Sequence, residues 1–186
     1  MIEYEELQQS ILEEIGDALN KIKNSDVQQF LEEIQNANKV FFVGVGRSLL
    51  SLKSVAKRLA HLGIETYIVG ETIEPAINEK DILIVGSGSG ESIIPLNIAA
   101  KAKQFDARVI HLGANSRSSM KKYTDFFVSI PVNTKYQSSE KIKSIQPMTS
   151  LFEQTLLLLG DTLALMLIKK QNMDTSNLWR YHANLE

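Results

Sequence analysis

An α/β fold built on a five-stranded parallel sheet is what this chain predicts, and three features of its 186 residues predict it. Short apolar runs recur at residues 39–43, 65–69, 81–85, 108–112 and 126–130. Segments with apolar residues at helical spacing fill most of the intervals between them. Glycine-rich turns follow two of the runs, at Gly44-Val45-Gly46 and at Ser87-Gly88-Ser89-Gly90. Strands alternating with helices imply parallel pairing, because parallel neighbours need a long crossover, and helices then cover both faces of the sheet.

Residues 4–36 read as an N-terminal helical segment. Leu7, Ile11, Leu12, Ile15, Leu19 and Ile22 fall at helical spacing, Asn24-Ser25-Asp26 marks a break, and Val27, Phe30, Leu31 and Ile34 resume the pattern. The first strand, 39–43, leads through its glycine turn into a helix over 48–62, carried by Leu49, Leu50, Leu52, Val55, Leu59 and Leu62 and stopped by Gly63. The second and third strands follow at 65–69 and 81–85, then a helix over 91–104. The fourth and fifth are 108–112 and 126–130. The polar stretch 133–146 reads as a long loop, of the kind that is functional or mobile. After Pro147 a long helix runs to about residue 170, apolar nearly all round through Leu151, Leu156, Leu158, Leu159, Leu163, Leu165 and Leu167. Such a helix is buried on more than one side, which points to subunit packing as well as a core. Residues 176–186 read as a short tail.

The length suits one domain over 1–186, with the helices of 4–36 packing on the rest. A formal charge of −2 gives no argument for nucleic acid or an anionic membrane as partner. The longest run of consecutive leucines, 156–159, is far too short to span a bilayer. Cysteine is absent, which excludes disulfides and thiol catalysis. His61, His111 and His182 are scattered without metal-ligand spacing, so no metal site is expected. The start, Met1-Ile2-Glu3-Tyr4-Glu5-Glu6, is acidic and lacks the pattern of a signal peptide, so a cytoplasmic location is expected.

In parallel sheets ligands sit beyond the carboxyl ends of the strands, where both glycine turns fall. In the turn 87–92, glycines let the backbone come close to a ligand, serine hydroxyls offer donors, and the helix that follows favours negative charge. That is how a phosphate is held. The plainer alternative is a flexible turn in which Ser89 or Ser92 merely caps a helix. Gly44-Val45-Gly46-Arg47-Ser48 fails as a dinucleotide fingerprint, since the third glycine would fall at Leu49, although Glu71 stands where a ribose-binding acid could sit. No Gly-Lys-Ser/Thr follows either turn, which disfavours a nucleotide triphosphatase. The better reading is a second anion-facing turn, with Arg47 and Ser48 aimed at the same small phosphorylated ligand.

Glu153 is the candidate base. It lies near the start of the last helix among Leu151, Phe152 and Leu156, and carboxylates in apolar surroundings suit general-base work. Ser150-Leu151-Phe152-Glu153 fits a capping box equally well, and the pattern leaves both roles open. His61, on the apolar side of helix 48–62, reads either as a packed side chain or as an acid–base group. His182 lies in the tail, and His111 reads as a strand residue.

Together these residues resemble sugar-isomerase (SIS) domains, and within them the 6-phospho-3-hexuloisomerase branch. The likeness is carried by Gly44-Val45-Gly46-Arg47-Ser48, Arg58-Leu59-Ala60-His61-Leu62-Gly63, Val69-Gly70-Glu71-Thr72, the turn 87–92, Gln146-Pro147-Met148, Leu151-Phe152-Glu153-Gln154 and the ending His182-Ala183-Asn184-Leu185-Glu186. The resemblance implies a flavodoxin-like α/β/α sandwich, assembled as a homotetramer. It also implies interconversion of D-arabino-3-hexulose 6-phosphate and fructose 6-phosphate without metal or cofactor. By the same likeness Ser48, Ser87, Ser89 and Ser92 hold the phosphate, Gly46, Arg47, Gly88 and Gly90 contact the substrate, and Glu153 moves the proton. His61, from its own or a neighbouring subunit, and then His182, are the expected hydroxyl-proton shuttles. The competing expectations are another sugar-phosphate isomerase, such as one acting on arabinose 5-phosphate, or a non-catalytic regulatory SIS domain. Ser92, Thr149 and Tyr181 depart from the branch, which more often has threonine, glycine and a basic residue there.

Overall fold

Runs of Val, Ile and Phe with no polar interruption form strands buried on both faces. In the computed structural model, which describes residues 3–134 and 141–185, these are β1 (Val40–Gly44), β2 (Thr66–Ile68), β3 (Ile82–Gly86), β4 (Arg108–Gly113) and β5 (Phe126–Ser129). The sheet order is β2-β1-β3-β4-β5, and every neighbouring pair is parallel. All five expected strands are present, with β2 trimmed to a short edge. Alternation divides the core: Phe42, Ile84, Ile110 and Val128 face one side, and Phe41, Val43, Leu83, Val85 and Val109 the other.

The helices are α1 (Tyr4–Asn20), α2 (Asn24–Asn36), α3 (Gly46–Ala60), α4 (Ile93–Ala102) and α5 (Ser150–Lys170). The N-terminal segment does break in two, but at 21–23, three residues before the expected place. Asn24, Ser25 and Asp26 begin α2 instead of ending α1. The expected tail also contains a 3₁₀ turn, Thr175–Tyr181. Helices cover both faces, but unevenly. The core around Phe42 takes in α1, α2, α3 and α5, whereas that around Phe41 is closed by α4 and the 3₁₀ turn Ser119–Tyr123. The β2–β3 connection holds no α-helix to balance them.

Helix α5 packs against both α3 and α1, so its breadth of apolar surface is largely consumed within one protomer. Its length and composition would suit a membrane span, yet Leu151, Phe152, Leu156, Leu159, Leu163 and Leu167 are all buried in the core. Leu158 and Leu165 remain exposed. The α3–α5 approach is so close at Gly160 that a Cβ there would stand 2.2 Å from Val55 Cγ2.

The sheet also shapes the serine turn. The Ser87 N–H donates to the Leu112 carbonyl (3.1 Å), the Ala114 N–H to Gly88 (3.0 Å), Asn115 Nδ2 to Ser89 (3.4 Å) and the Met120 N–H to Gly90 (3.2 Å). The Ser119 N–H donates to Glu91 Oε1 at 2.8 Å. Gly90 adopts φ +67°, and a Cβ there would lie 2.1 Å from Ser118 Oγ. Beneath the turn, His111 Nε2 stands 2.8 Å from the Ser87 carbonyl, and that acceptor assigns the proton to Nε2. Burial pushes the His111 pKa down from 6.5 to about 4, opposed in part by the Ser87 carbonyl.

Between pH 6.5 and about 4 the unfolded chain therefore takes up a proton that the fold refuses. Stability falls as pH falls through that window, by about 3 kcal/mol in all, and this contribution levels off below it. His111→Gln keeps an N–H for the Ser87 carbonyl but does not titrate. Urea melts from pH 7 to 4 should show a flatter loss of stability in this variant, and an unchanged slope would remove His111 as its source.

Candidate functional site

The chain leaves β1 toward one edge of the sheet and β3 toward the other, while α3 and α4 lie on opposite faces. Adjacent strands whose connections diverge in this way leave a crevice at their carboxyl ends. Here it is an open cleft of about 1050 Å³. Residues 45–48 and 86–89, with Ser92, form two sides, and 143, 144 and 146–150 with Glu153 form a third. The expected loop 133–146 contributes Asn133, Thr134, Lys143, Ser144 and Gln146 to the wall; its residues 135–140 lie outside the described ones.

One end of the cleft suits an anion. The carbonyls of the serine turn are tied back to β4 and the segment after it, while the N–H groups of Gly88, Ser89 and Ser92 have no partner among the described residues. Ser87 Oγ accepts the Gly90 N–H (3.1 Å) and Ser89 Oγ the Glu91 N–H (3.2 Å), which leaves both hydroxyl protons available. Ser92 is the residue before α4 but makes no side-chain cap bond, so its hydroxyl is uncommitted. Ser48 lies in the first turn of α3 on the facing wall. Two helix N-termini thus open on the same space. Gly46, Arg47 and Gly88 line it as well, whereas Gly90 turns away toward Ser118 and has a conformational role.

The other end holds Glu153, 7 % exposed. Its Oε2 accepts from Arg47 Nε, and its Oε1 accepts from Thr149 Oγ1 at 2.8 Å. The carboxylate is therefore in a polar clamp rather than the apolar surroundings that Leu151 and Phe152 suggested. No capping box forms: Thr149 is the residue before α5, Ser150 Oγ donates to the Pro147 carbonyl, and Glu153 serves Arg47 and Thr149 instead. Ser51 Oγ donates to the Glu153 backbone carbonyl at 2.8 Å, fastening α3 to α5 beside the carboxylate. The terminal nitrogens of Arg47 have no hydrogen-bond partner among the described residues, and the side chain is 65 % exposed on the cleft.

Another carboxylate holds the wall in place. Glu14 of α1 accepts from Ser144 Oγ (2.6 Å), the Ile145 N–H (2.7 Å) and Gln146 Nε2 (3.0 Å). Burial raises its pKa, but these three donors together outweigh burial and leave it below the usual carboxylate value. Glu14, Ser51 and His111 are working residues for which the sequence carries no signal.

His61 and His182 do not reach this cleft in their own protomer. His61 ends α3, 14 positions beyond Arg47 and roughly 21 Å from it along the helix axis. Its ring stacks on His182 at 5.1 Å, with Trp179 against His182 at 5.3 Å. Tyr181 closes over Gly63 at the same end of the helix. Among the described residues no group of three or more His, Cys, Asp or Glu is placed to hold a metal ion.

Comparison with known proteins agrees with this architecture. The SIS domain matches residues 33–158. A 3-hexulose-6-phosphate isomerase of Bacillus subtilis (strain 168) is 42% identical over 176 residues, covering 95% of this chain and 95% of its own length. One from Mycobacterium gastri is 34% identical over 176 residues, covering 95% of this chain and 88% of its own. A crystal structure from Methanococcus jannaschii, for which a 3-hexulose-6-phosphate isomerase function was inferred, has a TM-score of 0.84 at 30% identity and covers 97% of this chain and 99% of that one. With both glycine turns and Glu153 inside the matched span, and the five-stranded parallel sheet beneath them, this chain belongs to the SIS domain family.

Proposed function

We propose that the cleft isomerises D-arabino-3-hexulose 6-phosphate to fructose 6-phosphate through a cis-enediol. The observation that carries the reading is one cleft with a serine turn of unpartnered amides on one wall and a clamped, nearly buried carboxylate on another. The relatives' activity supports this substrate. The Arg47–Glu153–Thr149 arrangement supports catalysis, because a domain that only binds sugar phosphate has no use for it.

In this reading Ser48, Ser87, Ser89 and Ser92, with the free amides of the turn, hold the phosphate. Phosphate binding orients C2 and C3 against Glu153, so remote binding energy lowers the barrier at the reacting carbons. Glu153 takes the C2 proton, the C–H electron pair becomes the C2=C3 bond, and the former carbonyl electrons move to O3. Arg47 offers its terminal N–H groups to that developing charge. The O2 proton passes to O3, and Glu153 returns its proton to C3 on the same face, leaving the carbonyl at C2. No metal or cofactor enters the scheme. A cytoplasmic homotetramer goes with it: exposed Leu158 and Leu165 supply apolar surface for assembly, and only a neighbouring copy can bring the His61–His182 pair to a cleft as proton shuttle.

Fructose 6-phosphate incubated with the protein in D₂O should gain deuterium at C3, and Glu153→Gln should abolish that exchange, both read by proton NMR. Exchange at C1 would mean an aldose–ketose isomerase instead, and bound substrate with no exchange would favour a regulatory domain. Ser89→Ala removes one charge-assisted hydrogen bond, on the order of 1.5–3 kcal/mol, so kcat/KM should drop about 10- to 150-fold. An unaltered kcat/KM would put the phosphate elsewhere.

A further inference from the structure

We propose that Lys143 is the counter-cation of the substrate phosphate, reaching the serine turn from the third wall of the cleft. The inference deepens the proposed function and rests on the serine turn being the phosphate end.

The charge balance of the cleft singles this residue out. Three of the lining residues are charged at neutral pH: Arg47, Lys143 and Glu153. Arg47 and Glu153 form an ion pair and cancel. Lys143 is exposed and has no hydrogen-bond or ion-pair partner among the described residues. A phosphate monoester carries about −1.5 to −2 charges at pH 7. The serine turn answers it with neutral amides and hydroxyls, and a helix N-terminus adds roughly half a positive charge. Lysine makes up the deficit as a compact point charge with three donors.

The backbone brings Lys143 to the correct end of the cleft. Ile142 bridges to Val132 in parallel: its N–H donates to the Pro131 carbonyl (3.0 Å), and its carbonyl accepts from the Asn133 N–H (2.9 Å). Lys143, the next residue, therefore runs alongside Asn133 at about the 4.8 Å spacing of paired strands. Thr134, the residue after Asn133, packs on the serine turn, where a Cβ at Gly88 would lie 2.9 Å from Thr134 Cγ2. The flexible four-carbon stem of lysine spans what remains. Alternation sets Ile142 against the core and Lys143 on the cleft. On its other side the segment is fastened to α1, where Glu14 accepts from the Ser144 hydroxyl and the Ile145 N–H. Lys143 is thus an unpaired cation between two anchors, its backbone ordered before any ligand arrives.

Inorganic phosphate probes the site, and D-arabino-3-hexulose 6-phosphate is the substrate. Lys143→Ala should weaken phosphate binding, followed by ³¹P NMR, and raise KM, each about 10-fold or more, with kcat little changed. Lys143→Gln should match the alanine variant, whereas Lys143→Arg keeps the charge and should stay within a few-fold of the wild type. Added sodium chloride should weaken phosphate binding more steeply in the wild type than in Lys143→Ala, a difference that loss of a structural contact would not produce. Wild-type phosphate affinity and KM in Lys143→Ala would overturn the inference. So would a fall in kcat at unchanged KM, which would put the ammonium at the reacting carbons. Ser89→Ala separates the layers of the argument. If it loses phosphate affinity while Lys143→Ala keeps it, only the role of Lys143 is lost; if neither variant changes the affinity, the phosphate end is misplaced and the inference falls with it. If the wild type binds phosphate without isomerising the substrate, the isomerase reading fails, and the phosphate affinities alone decide the role of Lys143. Because Lys143 is exposed and makes no polar contact, its variants are expected to melt like the wild type.

Discussion

Arg47 and Glu153 stand 106 positions apart, and their ion pair joins the start of α3 to the start of α5. The rest of the site depends on that union. A carboxylate as enclosed as Glu153 needs partners to stay in place, because an uncompensated buried charge costs several kcal/mol. Arg47 meets the need from the solvent side, where an ordinary ion pair contributes about 0–1 kcal/mol. Stability is thus a small part of its value. The larger part is orientation: the Nε contact fixes one carboxylate oxygen and leaves the rest of the guanidinium facing the cleft. Ser51 and the Gly160–Val55 approach hold the α3–α5 crossing that makes this geometry possible.

At the opposite wall the same economy governs the serine turn. A peptide loop can bind an anion only if its carbonyls point elsewhere, since they repel negative charge as strongly as the amides attract it. Here β4 and the segment after it take the carbonyls of Ser87, Gly88, Ser89 and Gly90 one by one. His111 performs its share as a neutral donor, which its depressed pKa guarantees near neutral pH. The face of the turn that the sheet leaves unused is the one whose amides open on the cleft.

The parts readable in the sequence were those written locally. Strands buried on both faces give unbroken apolar runs, so all five announced themselves. The serine turn, Arg47 and Glu153 stood out because glycine, hydroxyl and carboxylate groups cluster within a few residues of a strand end or helix start. What could not be read depends on distance in the chain. Glu14 finds Ser144 across 130 positions, Ser51 reaches the Glu153 carbonyl across 102, and His111 lies under Ser87 across 24. The helix break fell three residues early because Asn, Ser and Asp serve equally as helix breakers and helix starters. The crowding of four helices on one face follows from which way each crossover turns, a property of the folded sheet rather than of any segment.

The length of α3 sets a further constraint on the chemistry. One rigid helix carries Arg47 at the cleft and His61 at its far end, so no local rearrangement can bring His61 to the Glu153 of its own protomer. Arg47, the cation nearest Glu153, cannot lend a proton, its guanidinium being always charged. In the proposed reaction, a single protomer would leave the transfer from O2 to O3 to the adjacent substrate oxygens themselves. If His61 of the partner subunit takes over that transfer, the stacked His182 and the Tyr181–Gly63 contact become parts of the neighbour's site. The C-terminal segment then matters to catalysis through the assembly, although it lies at the opposite end of α3 from its own cleft.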